Sequence, residues 1–167
     1  MLHDAPATAE MLFIQRAEHP LDPWSGHMAF PGGRVDPEDA TPRHAAERET
    51  LEEVGLDLGA AELIGRLDDV DGAPPSMNRL VVSAFVYHLA PRQPLQLNHE
   101  VSDALWVPVA RLVDDTRHVP FFWPRGQRAM HYPGIVVGDP ERQVVWGLTY
   151  RFLELFFRAV GRPLERR

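Results

Sequence analysis

The segment from Gly32 to Gly55, "GGRVDPEDATPRHAAERETLEEVG", carries its own boundaries. Thr41-Pro42 reads as an N-cap followed by proline at the first helical position, where the missing N–H costs nothing. The stretch to Val54 is rich in Ala, Glu, Arg and Leu, all good helix formers. Gly55 suits the left-handed position that ends a helix. The pattern predicts a helix over 42–54, and that helix has to carry Glu47, Glu49, Glu52 and Glu53 within two turns.

Residues three and four apart share a helix face, so Glu49, Glu52 and Glu53 project into one sector. Like charges so placed destabilise a helix by a few tenths of a kcal/mol per pair. One reading is a solvated acidic face, with Arg43 and Arg48 neutralising part of the charge. The other is a cluster of hard oxygen donors for Mg²⁺ or Mn²⁺, shared with substrate phosphates. The Gly32-Gly33 turn upstream favours the second, because glycine lets backbone approach a ligand closely.

A chain of 167 residues suggests a single domain spanning 1–167, large enough for a proper core. No apolar run approaches the ~20 residues of a membrane helix, and the opening "MLHDAPATAE" lacks a signal-peptide pattern. The absence of Cys excludes disulfides, thiolate metal sites and a Cys nucleophile. These features point to a cytoplasmic protein without a membrane partner. The net charge of −7 argues against a general nucleic-acid partner, though not against a small phosphorylated ligand bridged by metal. The eight His show no paired spacing that would suggest zinc.

Along the chain, "MLFIQRA" (11–17) reads as a strand, "EHPLDPWSG" as a loop, "AELIGRLDDV" as a strand and "DGAPPSMN" as a loop. "RLVVSAFVYHL" (79–89) reads as one long strand, "ALWVP" as a short one, and "PVARLVDD" as a short helix. "PFFWPRGQ" reads as an aromatic loop, "AMHYPG" and "QVVWG" as a late hairpin, and 148–160 as an amphipathic helix. Strands and helices mix without regular alternation, so the expected class is α+β or a helix–sheet–helix sandwich.

The acidic segment resembles the Nudix box, G-x5-E-x7-R-E-U-x-E-E-x-G-U with U apolar. Arg48, Glu49, Glu52, Glu53, Gly55 and Leu56 fill its positions, and Thr50 stands where an apolar residue is usual. Counting back from Arg48 puts the first glycine at Arg34 and the loop Glu at Ala40. The loop is thus one residue longer than the general form, and Glu38 or Asp39 stands in for that Glu. "FPGGRVDPED", with Asp36 and Asp39, is similar to the coenzyme A pyrophosphatase branch of the family, as are "LFIQRA" (aligning Arg16), "LDDV", "EVSDALWVP" and "VVWGLTYRFL". Upstream, where that branch shows L-R-x-H-x-G-Q-V, this chain has "LDPWSGHMAF", keeping Gly26 only.

The resemblance implies an α+β fold of the Nudix type: an α/β/α sandwich with a mixed central sheet, the loop-helix at the active site and a C-terminal helix. It implies hydrolysis of the pyrophosphate of a nucleoside diphosphate linked to a group X, with coenzyme A or a derivative as the leading substrate. ADP-ribose, dinucleotides and nucleoside triphosphates are the alternatives. By the same resemblance, Glu49 and Glu53 are the main Mg²⁺ or Mn²⁺ ligands, with Glu52 beside them and the Gly33 carbonyl as a further ligand. Arg48 holds the loop and helix carboxylates in place. The general base is Glu52 or Glu100, the latter from the loop before a late strand with His99 beside it. Arg16 and Arg34 are candidates for phosphate or for surface ion pairs. Phe121 and Trp123, with Trp24, are candidates for stacking a base, lining an acyl-pantetheine channel or filling the core. A non-catalytic nucleotide-sensing domain is the reading from another class; the intact carboxylates oppose it. Isopentenyl diphosphate isomerisation needs a Cys and is excluded.

At the amino terminus, only Met1 to His3 precede the turn-like "DAPATAE", too few for the strand that would normally pair with 11–16. That shortened strand leaves part of one edge of 11–16 to be covered by a neighbouring segment or, through a homodimer, by a second copy.

Overall fold

A computed structural model describes residues 9–20, 22, 24–72, 80–125 and 128–165. In chain order the elements are β1 (Glu10–Arg16), β2 (Met28–Ala29), α1 (Pro42–Val54), β3 (Glu62–Arg66), β4 (Val70–Asp71), β5 (Val81–Val82) and β6 (Phe85–His88). There follow β7 (Val101–Pro108), α2 (Val109–Leu112), β8 (His118–Arg125), β9 (Arg128–Val136), β10 (Val144–Trp146) and α3 (Gly147–Ala159). The class is α+β, as expected. The strand pairs among the described residues are all antiparallel, and they divide into four ladders: β2-β1-β7, β10-β9-β8, β3-β6 and β4-β5.

β1 lies at the centre of the packing because its side chains alternate between two cores. Phe13 enters a cluster with Met28, Val107, Ile135, Val145, Tyr150, Leu153 and Phe157, which fastens α3 to the sheet. Ile14 enters a second cluster with Val54, Leu56 and Val101, beneath the end of α1. The two helices therefore approach β1 from different faces, and the last residue of β1, Arg16, falls on the α1 side by the same alternation.

Helix α1 spans the residues its sequence implied. Thr41 accepts a hydrogen bond from the His44 N–H, Pro42 starts the helix, and Gly55 ends it at φ 73°. Three strand expectations change. The strand expected at "AELIGRLDDV" is split at 67–69 into β3 and β4, which pair in separate ladders. The long strand expected at 79–89 is broken at Ser83-Ala84, where the Ser83 hydroxyl donates to Asp69 (2.7 Å) and Arg66 donates to both Asp69 and Ser83. These side-chain bonds replace ladder bonds locally, although Leu67 N–H still donates to Ala84 O. The aromatic loop expected at "PFFWPRGQ" is instead strand β8. Its prolines are tolerated because, among the described residues, β8 is an edge strand that pairs with β9 alone, and Pro120 sits opposite Pro133, so neither needs an N–H there.

β7 runs along the whole of β1, from Glu10–Pro108 to Arg16–Val101. On its other side β1 meets β2 at Ile14 and Gln15. The residues before Ala9, and with them the expected shortened strand, lie outside the described residues, as does most of the "DGAPPSMN" loop. Among the described residues no helix is long and apolar enough to cross a membrane.

Candidate active site

The acidic helix carries two differently held sets of carboxylates. On the outer side, Tyr87 of β6 and Arg43 both hydrogen-bond Glu47, and Arg43 Nε also donates to Tyr87 Oη at 2.9 Å. The Tyr87 hydroxyl and then Arg43 hold Glu47 below the usual carboxylate range despite partial burial. Glu52 is also claimed: its Oε2 accepts from Arg48 at 3.1 Å, and its side chain is 54% exposed.

Arg48 is the hub. Its Nε and a terminal nitrogen grip Asp39 at 3.2 and 2.9 Å, it donates to the Arg34 carbonyl at 3.1 Å, and it reaches Glu49 at 3.3 Å. Asp39, not Glu38, is therefore the loop carboxylate that ties loop to helix. The bidentate guanidinium holds it below its ordinary pKa, aided by the Asp36 N–H. Asp39 is held from two sides, and Asp36 is a longer-range partner of Arg48 at 3.6 Å.

The inner set is Glu49 and Glu53. Glu53 is 2% exposed, and its Oε2 accepts the Gly32 N–H at 2.9 Å. Burial pushes its carboxyl up to about 7. The Gly32 N–H and the Arg16 charge oppose that rise, while Glu49 and Glu100 add to it. Burial likewise raises Glu49, with Glu52 and Glu100 adding to the rise and Arg48 opposing it. Gly33 is needed because a Cβ there would collide with the Glu49 carboxylate. The loop from Gln96 to Glu100 closes this end: Gln96 and Asn98 N–H groups donate to the Val54 and Glu53 carbonyls (2.9 and 3.1 Å), and Ala17 N–H donates to the Glu100 carbonyl (2.8 Å). The Glu100 side chain is 58% exposed, with His99 at 4.0 Å.

A buried carboxylate and a half-buried one that repel each other suit a divalent cation. Among the described residues no group of three or more His, Cys, Asp or Glu forms a ready metal cage. Two carboxylates and a close backbone turn nonetheless match the habit of Mg²⁺, which keeps waters and takes further ligands from substrate phosphates. The residues present therefore fit such an ion.

Arg16 pairs with Asp22 at 2.7 Å, with its Nε at 3.0 Å from the same oxygen. Burial raises Asp22, but the Trp24 N–H and the guanidinium outweigh it and leave the carboxyl below its ordinary value. Arg34 is exposed, and its carbonyl rather than its side chain serves the hub. Phe121 and Trp123 face neither solvent alone nor the main core, since both pack on Trp146; Trp24 is 48% exposed. Asp22, His27, Tyr87 and Trp146 were not singled out from the sequence. Only strand pairing and loop closure bring them here, and no spacing rule connects them to the helix.

The family model described as "NUDIX domain" matches residues 4–125. A Schizosaccharomyces pombe protein, "Uncharacterized protein C14C4.10c", is 41% identical over 108 residues, 62% of this chain and 33% of that protein. "Uncharacterized Nudix hydrolase NudL" from Salmonella paratyphi B is 33% identical over 153 residues, 90% of this chain and 75% of its own length. The chain thus spans a third of the yeast relative and three quarters of the bacterial one. Among solved structures, the NUDIX domain of Shewanella oneidensis NrtR complexed with ADP ribose is similar at a TM-score of 0.47 and 23% identity, covering 62% of this chain and 64% of that one.

Proposed function

Since the chain belongs to the Nudix family of pyrophosphohydrolases, we propose that it hydrolyses the pyrophosphate bond of a nucleoside diphosphate derivative with the help of Mg²⁺ or Mn²⁺. The observation that carries this reading is Glu53, a buried carboxylate tied to the Gly32 N–H and set against Glu49 beside a glycine turn. Glu49 and Glu53 are the residues to hold the cation, with the Gly33 carbonyl beside them. When bound, such a cation supplies positive charge to the pyrophosphate oxygens and Lewis acidity at the reacting centre.

The chain's own groups supply position and proton transfer. Arg16, oriented by Asp22, offers its guanidinium to phosphate oxygens at the open end of β1. Arg48 keeps the Asp39 loop and helix α1 in register, so that Glu49 meets the glycine turn. Glu52 is occupied by Arg48, whereas Glu100, as exposed as Glu52 but with no arginine paired to it among the described residues, raises both Glu49 and Glu53. That difference favours Glu100 as the base that takes a proton from the attacking water. Water oxygen bonds to one phosphorus, the bridging P–O bond breaks, and two phosphate-bearing products leave.

Coenzyme A is the leading substrate, supported by "FPGG" and the Asp36/Asp39 loop of the sequence. A homodimer remains the proposed cover for the β1 edge, tested by light scattering. The chain should be incubated with Mg²⁺ or Mn²⁺ and coenzyme A, ADP-ribose, diadenosine polyphosphates and nucleoside triphosphates, with products identified by mass spectrometry. The expected products from coenzyme A are a phosphopantetheine and an adenosine bisphosphate. Inert coenzyme A with ADP-ribose or a dinucleotide turned over would overturn the substrate and leave the chemistry standing. No turnover of any of them would overturn both.

A further inference from the structure

Five rings meet beside β2. Trp146 stacks on Phe121 (centroids 4.5 Å apart, planes 18° apart) and lies tilted to Trp123 at 5.1 Å and Tyr132 at 5.3 Å. His27 sets its ring edge-on to Trp123 at 4.7 Å and to Trp146 at 4.9 Å. All five are half-buried, unlike the core rings of Phe13, Tyr150 and Phe157, which are sealed from water. Large aromatic surface left half wet gains from a ligand in a way that sealed core rings do not.

The wall is continuous with the acidic site. The Arg16 N–H donates to the His27 carbonyl at 3.0 Å, and the His27 ring feels the charges of both Asp22 and Arg16. The Arg16 charge in turn reaches Glu53. Arg16 thus links the two ends, sharing a backbone bond with His27 and an ion pair with Asp22 while its charge acts on Glu53, and His27 in turn touches both tryptophans. Burial holds His27 below its ordinary pKa, so the wall presents neutral π-surface near neutral pH.

We propose that the nucleobase of the substrate stacks on the wall formed by Trp123, Trp146 and His27 while its phosphates lie at Arg16 and the acidic helix. This assignment rests on the pyrophosphohydrolase reading above and places specificity at the nucleotide end of the substrate. A flat heteroaromatic base gains stacking on flat rings. A saturated acyl-pantetheine arm gains only contact area, and no member of the wall is aliphatic.

The test is tryptophan fluorescence of the full chain titrated with AMP and, separately, with ribose phosphate. The expected result is AMP binding about ten-fold tighter than ribose phosphate, the difference being lost in Trp123→Leu and kept in Trp123→Phe. With a nucleotide substrate that is turned over, the Trp123→Leu loss should fall on KM rather than kcat. AMP binding no tighter than ribose phosphate by the unaltered chain overturns the proposal, and that comparison needs neither turnover nor a folded variant. Turnover with KM unmoved in a folded Trp123→Leu overturns the wall and leaves the hydrolase reading intact.

Discussion

Helices α1 and α3 are both 13 residues long and pack on opposite faces of β1, yet they are held by different forces. α3 buries Tyr150, Phe152, Leu153 and Phe157, and its N-terminus has no side-chain cap. α1 buries Ala45, Thr50, Glu53 and Val54, and is fastened by Thr41, Arg48, Tyr87 and the loop at Gln96–Asn98. One helix is placed by water leaving apolar surface; the other is placed by hydrogen bonds and charge around a small apolar anchor at Ala45 and Val54. The difference shows where the fold gives up stability: α1 spends its inward face on carboxylates that a purely structural helix would fill with apolar side chains.

A double dissociation would break this comparison if it is wrong. Glu53→Gln should lower turnover at least about a hundred-fold, with thermal stability of the metal-free protein unchanged or raised, because a desolvated charge and its repulsion with Glu49 are removed. Phe157→Ala should instead cost about 3–5 kcal/mol of stability, while each folded molecule keeps its activity. Turnover assays and denaturant unfolding read the two axes. Near-normal turnover in Glu53→Gln would sink the assignment of α1.

The same contrast has a pH signature. Glu53 is raised from 4.5 to about 7 in the folded protein. The native state therefore holds the proton more tightly than the unfolded chain between those values. Its contribution to stability is full at acid pH and is lost as pH rises through about 7. In chelator, the melting temperature should fall between about pH 4.5 and pH 7, and Glu53→Gln should flatten that slope. Phe157→Ala should lower the curve without changing its slope.

How much of this was legible from residue order follows the same division. The limits of α1, its caps and the sector of Glu49 and Glu53 are local, so spacing reveals them. Thr50, in a position that is usually apolar, is explained by the structure: it is buried, and its hydroxyl donates to the Ala46 carbonyl one turn back at 2.7 Å. The strand at 118–125 was hidden because proline reads as loop unless it is known that the strand lies at an edge. The Tyr87–Glu47 clamp and the ring contacts of His27 were hidden for another reason. They join segments 40 to 119 residues apart or more than one element away, and only strand pairing decides such meetings. The choice between Glu38 and Asp39 turned on loop conformation, which spacing does not determine.

Gly33→Ala sharpens the comparison further. A Cβ at Gly33 would meet the Glu49 carboxylate, the far end of a flexible side chain that can swing away. The stability cost should therefore stay below about 1 kcal/mol. The displaced carboxylate should cost about ten- to a hundred-fold in turnover, because small misplacements at a reacting centre are expensive. A fall in stability with turnover preserved would mean that the turn serves packing and not the position of Glu49.

The smallest expected effect lies at the first turn of α1. Thr41 Oγ1 accepts from the His44 N–H at 3.2 Å, satisfying one of the amides that a helix start leaves unpaired. Thr41→Ala should cost about 1 kcal/mol, seen in denaturant unfolding and as faster hydrogen exchange at the His44 amide. The α3 start has no such bond to lose, since it is anchored by Tyr150, Leu153 and Phe157 in the core. If Thr41→Ala left both stability and exchange unchanged, the Arg48 hub, the Tyr87 clamp, the Gln96–Asn98 loop and the Val54 contacts would be holding α1 without help from the cap. Its capping sequence would then serve to mark where the helix begins rather than to stabilise it.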